Sequence, residues 1–182
     1  YIDLDRDSGR QRSINPSSTR DVLASQPCYY IFTSGTTGMP KASIMTHYRW
    51  LASMAGVGNA TMRLKSDDIF YCCLPLYHNN ALTVAWGCVL SAGATLAIDR
   101  KFSASQFWDR IRHYDATAFT YIGELLRYLL NRDATPHDKS HRVRLITGNG
   151  LRPEIWQQFQ KRFGIERIYE FYGASESNIG FI

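Results

Sequence analysis

From residue 28 onward the chain alternates two kinds of apolar pattern. Short β-branched or aromatic runs fall at 29–32, 42–45, 69–74, 95–98, 117–122, 143–146 and 168–171, and stretches with helical spacing separate several of them. Ser103 with Gln106 reads as a capping box ahead of Phe107, Ile111 and Tyr114. Pro153 can open a helix carrying Ile155, Phe159 and Phe163, which Gly164 closes. Two further helices fit residues 46–62 and 124–131. Strand and helix alternating in this way predict an α/β fold with a mostly parallel sheet covered by helices, whose ligands sit at the carboxyl ends of the strands. No internal repeat is visible.

Two stretches need a separate reading. The uncharged run 81–98 has the 18 residues that approach a membrane span, but Gly87, Ser91, Gly93 and Thr95 interrupt it. A core helix, a glycine stop and a buried strand are the expectation there. Residues 1–27 are polar and read as a linker or surface segment, with the folded part over 28–182.

Composition narrows the class. With 45% hydrophobic and 20% charged residues in 182, the chain is globular, and a domain of that size buries roughly 70% of its unfolded surface. The net charge of +5 permits anionic partners. The basic residues are scattered, without an aromatic-interleaved run, so no nucleic-acid partner is expected. Cys28, Cys72, Cys73 and Cys88 lack metal spacing and read as buried thiols of a reducing compartment. His137 and His141 lie in a polar stretch beside Pro136, and no zinc site is predicted. The chain does not start with Met and shows no basic-then-apolar leader.

The chemistry concentrates in Phe32-Thr33-Ser34-Gly35-Thr36-Thr37-Gly38-Met39-Pro40-Lys41. Glycines let backbone N–H groups turn inward, hydroxyls donate to phosphate oxygens and Lys41 adds a compact positive charge, a composition suited to polyphosphate. It is not a Walker loop, because Met39 and Pro40 separate the second glycine from the lysine. Pro40 also disfavours an immediate helix, so the loop is expected to join two strands, 29–32 and 42–45. A plain Ser/Thr/Gly surface turn has the same composition.

Thr33-Ser34-Gly35-Thr36-Thr37-Gly38-Met39-Pro40-Lys41 resembles the phosphate-loop signature of the adenylate-forming enzymes: acyl-CoA synthetases, luciferases and adenylation domains. Phe171-Tyr172-Gly173-Ala174-Ser175-Glu176 resembles their second signature. Leu74-Pro75-Leu76-Tyr77-His78, the 121–131 segment, Gly148-Asn149-Gly150-Leu151-Arg152-Pro153 and the 101–108 segment are most similar to the very-long-chain acyl-CoA synthetases, or fatty acid transport proteins, of actinobacteria. The resemblance runs from about Cys28 to the last residue.

The resemblance implies part of the large amino-terminal domain of a long-chain or very-long-chain fatty acid–CoA ligase that uses ATP, Mg²⁺ and coenzyme A. By it, Thr33, Ser34, Gly35, Thr36, Thr37, Gly38 and Lys41 hold the ATP phosphates. Tyr172 stacks on adenine, with Gly173, Ala174 and Ser175 near the α-phosphate, Ser175 standing where most relatives have Thr. Glu176 is the Mg²⁺ ligand; Thr36 and Lys41 join it as catalytic. Gly148, Asn149 and Gly150 line the adenine and acyl pockets, and His78 lies near the substrate carboxylate, with a satisfied structural side chain as its alternative; Tyr121, Gly123 and Glu124 match the start of a helix along the acyl tunnel, though ordinary core packing explains their apolar neighbours equally well. The catalytic lysine and the mobile carboxy-terminal domain of the family fall beyond Ile182. Residues 1–182 alone are therefore expected to make no acyl-CoA and, in solution, to self-associate or be only marginally stable. A cytoplasmic location is implied, with peripheral association at the inner face of the membrane allowed. A non-catalytic nucleotide- or fatty-acid-binding module and a fatty acid uptake protein are the competing readings.

Overall fold

The computed structural model describes residue 14 and residues 16–33, 38–176 and 180–181. A 3₁₀ turn, Ser17–Asp21, is exposed throughout. Strands β1 (Pro27–Thr33) and β2 (Lys41–Thr46) then form an antiparallel hairpin in which Tyr30 faces Ile44 and Thr33 faces Lys41. This is the strand pair the proline predicts.

Thr46 caps the next helix: its side chain accepts the Arg49 N–H, and α1 (His47–Ser53) runs directly into a π-helix, Met54–Met62. The sequence pattern gives one α-helix over 46–62; here its second half is wound more loosely. Strand β3 (Ile69–Cys72) follows, then a second π-helix (Asn80–Gly87) continued by α2 (Cys88–Ala92). Gly93, at φ +64°, ends it, and β4 (Thr95–Ile98) comes next. Among the described residues no helix is long and apolar enough to cross a membrane. β4 is an edge strand with only Ala97 buried, a correction to the expectation of a buried strand at 95–98.

The remaining elements are α3 (Phe107–His113), β5 (Ala118–Ile122), α4 (Leu125–Leu130), β6 (Leu145–Asn149), α5 (Pro153–Phe163), β7 (Arg167–Glu170), and a short pair, β8 (Tyr172–Gly173) and β9 (Gly180–Phe181). The capping box at Ser103 does not form. Gln106 occupies the cap position of α3 without a side-chain bond, and Ser103 Oγ meets Ser105 Oγ at 3.2 Å. Pro153 and Gly164 bound α5 as expected, Gly164 at φ +69°.

Five strands pair in parallel in the order β4-β3-β5-β6-β7. Chain direction across the sheet therefore reverses beside β3, and in such sheets the crevice at the carboxyl ends beside the reversal is where ligands bind. Phe107 anchors the core, with ring contacts of 5.4 Å to Tyr71 and 5.0 Å to Phe119. Trp108 stacks between Phe163 at 4.5 Å and His141 at 4.6 Å. All four cysteines are free; burial pushes Cys73 and Cys88 up to about 12, while Cys28 is half-buried rather than buried as expected.

The opposite, amino-terminal edge of the sheet is held by a buried charge. Asp68, 4% exposed, accepts from Arg144 Nε (3.1 Å), Thr117 Oγ1 (2.7 Å) and the Lys65 N–H (2.8 Å). Burial alone would raise its pKa, but these donors outweigh it and hold the carboxyl below the usual range. A carboxyl that titrates lower folded than unfolded stabilises above about pH 4, and that contribution disappears as pH falls through the folded value. We expect Asp68→Ala to cost about 3 kcal/mol at pH 7 by urea unfolding. The difference from the parent should shrink below about pH 4, and a pH-independent difference would refute the assignment.

Gly148 sets a second limit. It pairs with Tyr121 in the β5–β6 ladder, and a Cβ on it would lie 2.3 Å from the Tyr121 carbonyl oxygen. Because backbone is the obstacle, Gly148→Ala should destabilise by about 3 kcal/mol or more. An unfolding midpoint equal to the parent's would show that the strands can part there.

Candidate functional site

The carboxyl end of β6, the segments that follow β3 and β7, strand β2 of the hairpin, α1 and both π-helices meet around a cleft of about 670 Å³, within the size range of small-molecule sites. Met45, Val57, Val84 and Phe171 supply apolar lining; His78, Asn79, Asn80, Asn149 and Ser175 supply polar groups. Both π-helices contribute, the first through Gly56, Val57 and Thr61 and the second through Asn80, Thr83 and Val84. Such windings recur at functional sites because they displace side chains from regular helical positions.

The hairpin is fastened to the segment after β7 by hydrogen bonds. Ser43 Oγ donates to the Ser175 carbonyl at 2.5 Å, and Arg49 Nη2 donates to the same oxygen at 3.1 Å while Arg49 Nη1 donates to the Ile44 carbonyl. Thr33 Oγ1 donates to Glu176 Oε1 at 2.6 Å. The two segments singled out in the sequence, 143 positions apart, thus touch. The Thr33 hydroxyl first, then the Glu176 backbone N–H and the charge of Lys41, hold the Glu176 carboxyl below the usual range, so it is ionised at neutral pH. A charged, exposed carboxylate beside a lysine and hydroxyls suits a hard divalent cation and the phosphates that accompany it.

A second junction closes the sheet edge. Asn80, 5% exposed, donates through Nδ2 to the Tyr121 carbonyl (3.0 Å) and to Asn149 Oδ1 (3.1 Å), and its Oδ1 accepts from Thr120 at 2.5 Å. Glu170, at the end of β7, accepts the Tyr121 hydroxyl and the N–H groups of Gly150 and Leu151. These bonds fix the turn after β6, where Gly150 has φ +90°. Burial, and then the Glu170 contact, raise the Tyr121 pKa, so the phenol stays protonated.

The family profile described as "AMP-binding enzyme" matches residues 3–182. The chain belongs to the AMP-binding enzyme family. Among curated members, the medium/long-chain-fatty-acid–CoA ligase FadD6 of Mycobacterium tuberculosis is 57% identical over 180 residues, covering 99% of this chain and 30% of its own length. Long-chain fatty acid transport protein 2 of Rattus norvegicus is 47% identical, covering 98% of this chain and 29% of its own length. The chain thus spans about 30% of the length of the curated relatives it matches. Among solved structures, ATP-bound MatB from Rhodopseudomonas palustris superposes with a TM-score of 0.72 at 27% identity, over 87% of this chain and 31% of that one. A benzoate CoA ligase from Burkholderia xenovorans shares the fold, with a TM-score of 0.76 at 20% identity over 86% of this chain and 31% of that one.

Thr33, Lys41, Ser175 and Glu176 come together at the hairpin junction, and His78, Asn149, Gly173, Ala174 and Ser175 line the cleft. Gly38, at φ +92°, precedes β2; Ser34, Gly35, Thr36 and Thr37 lie outside the described residues. Tyr172 is 74% exposed beside this junction. Gly148 lies in the β5–β6 ladder and Gly150 in the turn after β6, both outside the cleft lining. Tyr121 is fully buried and reaches the site through Glu170, and Gly123, at φ +51°, packs under Gly150, so neither lines the cleft. Sequence reasoning missed Ser43, Arg49, Asn80 and Glu170. Adjacent asparagines directly after His78, in an otherwise apolar stretch, were the available signal for Asn80.

Thr33→Val keeps the shape of residue 33 and removes its hydroxyl. The Glu176 carboxyl should then titrate higher, toward an ordinary glutamate, in a ¹³C-carboxyl NMR titration; an unmoved titration would show that Thr33 does not hold Glu176.

Proposed function

We propose that these residues form the nucleotide- and acid-binding part of a fatty acid–CoA ligase that acts by adenylation, with residues 28–182 as the central portion of its AMP-binding domain. The observation that carries this reading is the Thr33–Glu176 contact of 2.6 Å. It joins a hydroxyl- and glycine-rich hairpin turn to an ionised carboxylate beside a part-apolar cleft, in a chain 57% identical to a fatty acid–CoA ligase.

A carboxylate resists thiol attack because its charge repels nucleophiles and oxide does not leave. In this reading the fatty carboxylate attacks the α-phosphorus of ATP and pyrophosphate departs, giving a mixed anhydride. The thiolate of coenzyme A then attacks the acyl carbon, the C–S bond forms, and the C–O bond to AMP breaks.

Lys41, Thr33 and the turn residues Ser34, Gly35, Thr36, Thr37 and Gly38 are assigned to the ATP phosphates, with Lys41 and Thr36 stabilising charge on the departing pyrophosphate. Tyr172 is assigned to the adenine face, and Gly173, Ala174 and Ser175 to the neighbourhood of the α-phosphate. Gly148 and Gly150 keep the turn that presents Asn149, and His78 faces the acid's carboxylate. The apolar lining suits an alkyl chain, and a long-chain acid is the preferred substrate in this reading. Among the described residues no three His, Cys, Asp or Glu side chains gather as a metal site. Glu176 together with ligand phosphates would therefore hold a Mg²⁺ ion, which neutralises phosphate charge when bound. The reading places the protein in the cytoplasm, with peripheral contact at a membrane surface.

In the intact protein, Glu176→Gln should slow ATP–pyrophosphate exchange roughly 100-fold and raise the Mg²⁺ concentration it needs. Unchanged rate and Mg²⁺ dependence would overturn the assignment. An acyl-chain panel scored by CoA-dependent AMP formation tests the long-chain preference, and a peak at short acids would refute it.

A further inference from the structure

The polarity of one group in the cleft can be worked out from its neighbours. The Tyr121 carbonyl can only accept, so the Asn80 atom 3.0 Å from it is the amide nitrogen, and the other terminal atom, an oxygen, takes the Thr120 hydroxyl proton. The second N–H of that nitrogen points to Asn149 at 3.1 Å, so the Asn149 atom facing it must be Oδ1. Both Asn80 amide N–H groups and its Oδ1 then have a partner, and its 5% exposure leaves it no alternative partner in water. The Asn149 amide is fixed in turn: its oxygen is turned inward and its Nδ2, with no hydrogen bond among the described residues, is left on a half-buried side chain lining the cleft. The backbone cannot swing away, because the Asn149 carbonyl accepts the Gly123 N–H at 2.8 Å and Gly150 N–H is bound by Glu170.

We infer that Asn80 is a positioning residue that locks the Asn149 amide with its NH₂ toward the cleft, and that Asn149 recognises a hydrogen-bond acceptor of the bound ligand. Under the function proposed above, on which this inference rests, that acceptor is either a ring nitrogen of the purine or an oxygen of the acid's carboxylate. Both offer a lone pair and no proton at neutral pH. Had Asn149 been free to turn over, it would accept donors as readily as acceptors and the cleft would lose that selectivity; the buried Asn80 removes this freedom before ligand arrives.

The test uses the intact protein and calorimetric titration with Mg²⁺-ATP and, separately, with a fatty acid, together with melting curves. Asn149→Leu removes the donor without adding charge; Asn149→Asp keeps the acceptor for Asn80 and also removes the donor. Both should weaken one of the two ligands roughly tenfold while the other binds as before. Loss of ATP affinity names the purine, and loss of fatty-acid affinity names the carboxylate. Asn80→Ala should lower the melting temperature and weaken that same ligand several-fold. Adding it to Asn149→Leu should weaken the ligand no further, since the amide it oriented is gone. A purely structural Asn80 would instead lower the melting temperature with both affinities unchanged, or add its full effect to that of Asn149→Leu. Weakening by Asn149→Asp alone would be charge repulsion. Any of these, or unchanged binding in both Asn149 variants, overturns the inference while the function stands. Failure of the parent protein to bind either ligand overturns the function and this inference with it.

Discussion

Everything at the site depends on closing the carboxyl edge of a parallel sheet. Five strands in the order β4-β3-β5-β6-β7 deliver their last carbonyls to one side, and the reversal of chain direction beside β3 leaves a gap between the loops after β3 and β5. Unsatisfied carbonyls in a half-buried gap are costly. Asn80, carried back over the gap by the second π-helix, fills the need: one side chain reaches β5 through Thr120 and Tyr121 and β6 through Asn149. The side chain that satisfies the sheet edge is thus also the one that borders the cleft. Fold stability and site geometry are coupled at this residue rather than merely adjacent.

The hairpin follows a different logic. Among the described residues β1 and β2 pair only with each other and lie outside the five-stranded sheet, so their position depends on side chains. Tyr29 supplies one attachment, its hydroxyl 2.7 Å from Thr83 Oγ1 and its ring edge-on to Trp50 at 5.7 Å. Ser43 and Arg49, both ending on the Ser175 carbonyl, and Thr33, bonded to Glu176, supply others. A hairpin held in this way can be set relative to the cleft by a few polar contacts without disturbing the core packed around Phe107.

How much of this could be read from the sequence follows from range. Short-range signals were legible: Pro40 before β2, Pro153 and Gly164 around α5, Gly93 after α2, and the β-branched runs that became parallel strands. Ser103 with Gln106 misled because a capping box needs the helix to begin at the serine's neighbour, and here the turn at 104–106 delays α3 to Phe107. The π-winding of 54–62 has no local marker, since Gly58 fits there for tertiary reasons: a Cβ on it would stand 3.0 Å from Cys88 Cβ. Tyr121 reads as a pocket residue by its position and as a core residue by its burial, and only the location of Glu170 across two strands decides it. Long-range partners such as Ser43 with Ser175 leave no periodicity to detect.

The electrostatics of the hairpin junction carry the argument one step further. Glu176 is exposed, so water alone would screen its charge and leave its side chain free to turn; what it gains from Thr33 is orientation more than energy. An exposed carboxylate held by a neutral hydroxyl keeps its full charge, whereas a close pair with a cation would compete with any incoming ion. Lys41 lowers the Glu176 pKa through space without forming an ion pair with it among the described residues. The arrangement therefore keeps a negative and a positive group near each other without neutralising one another, which suits the phosphate and Mg²⁺ ligand proposed for this junction.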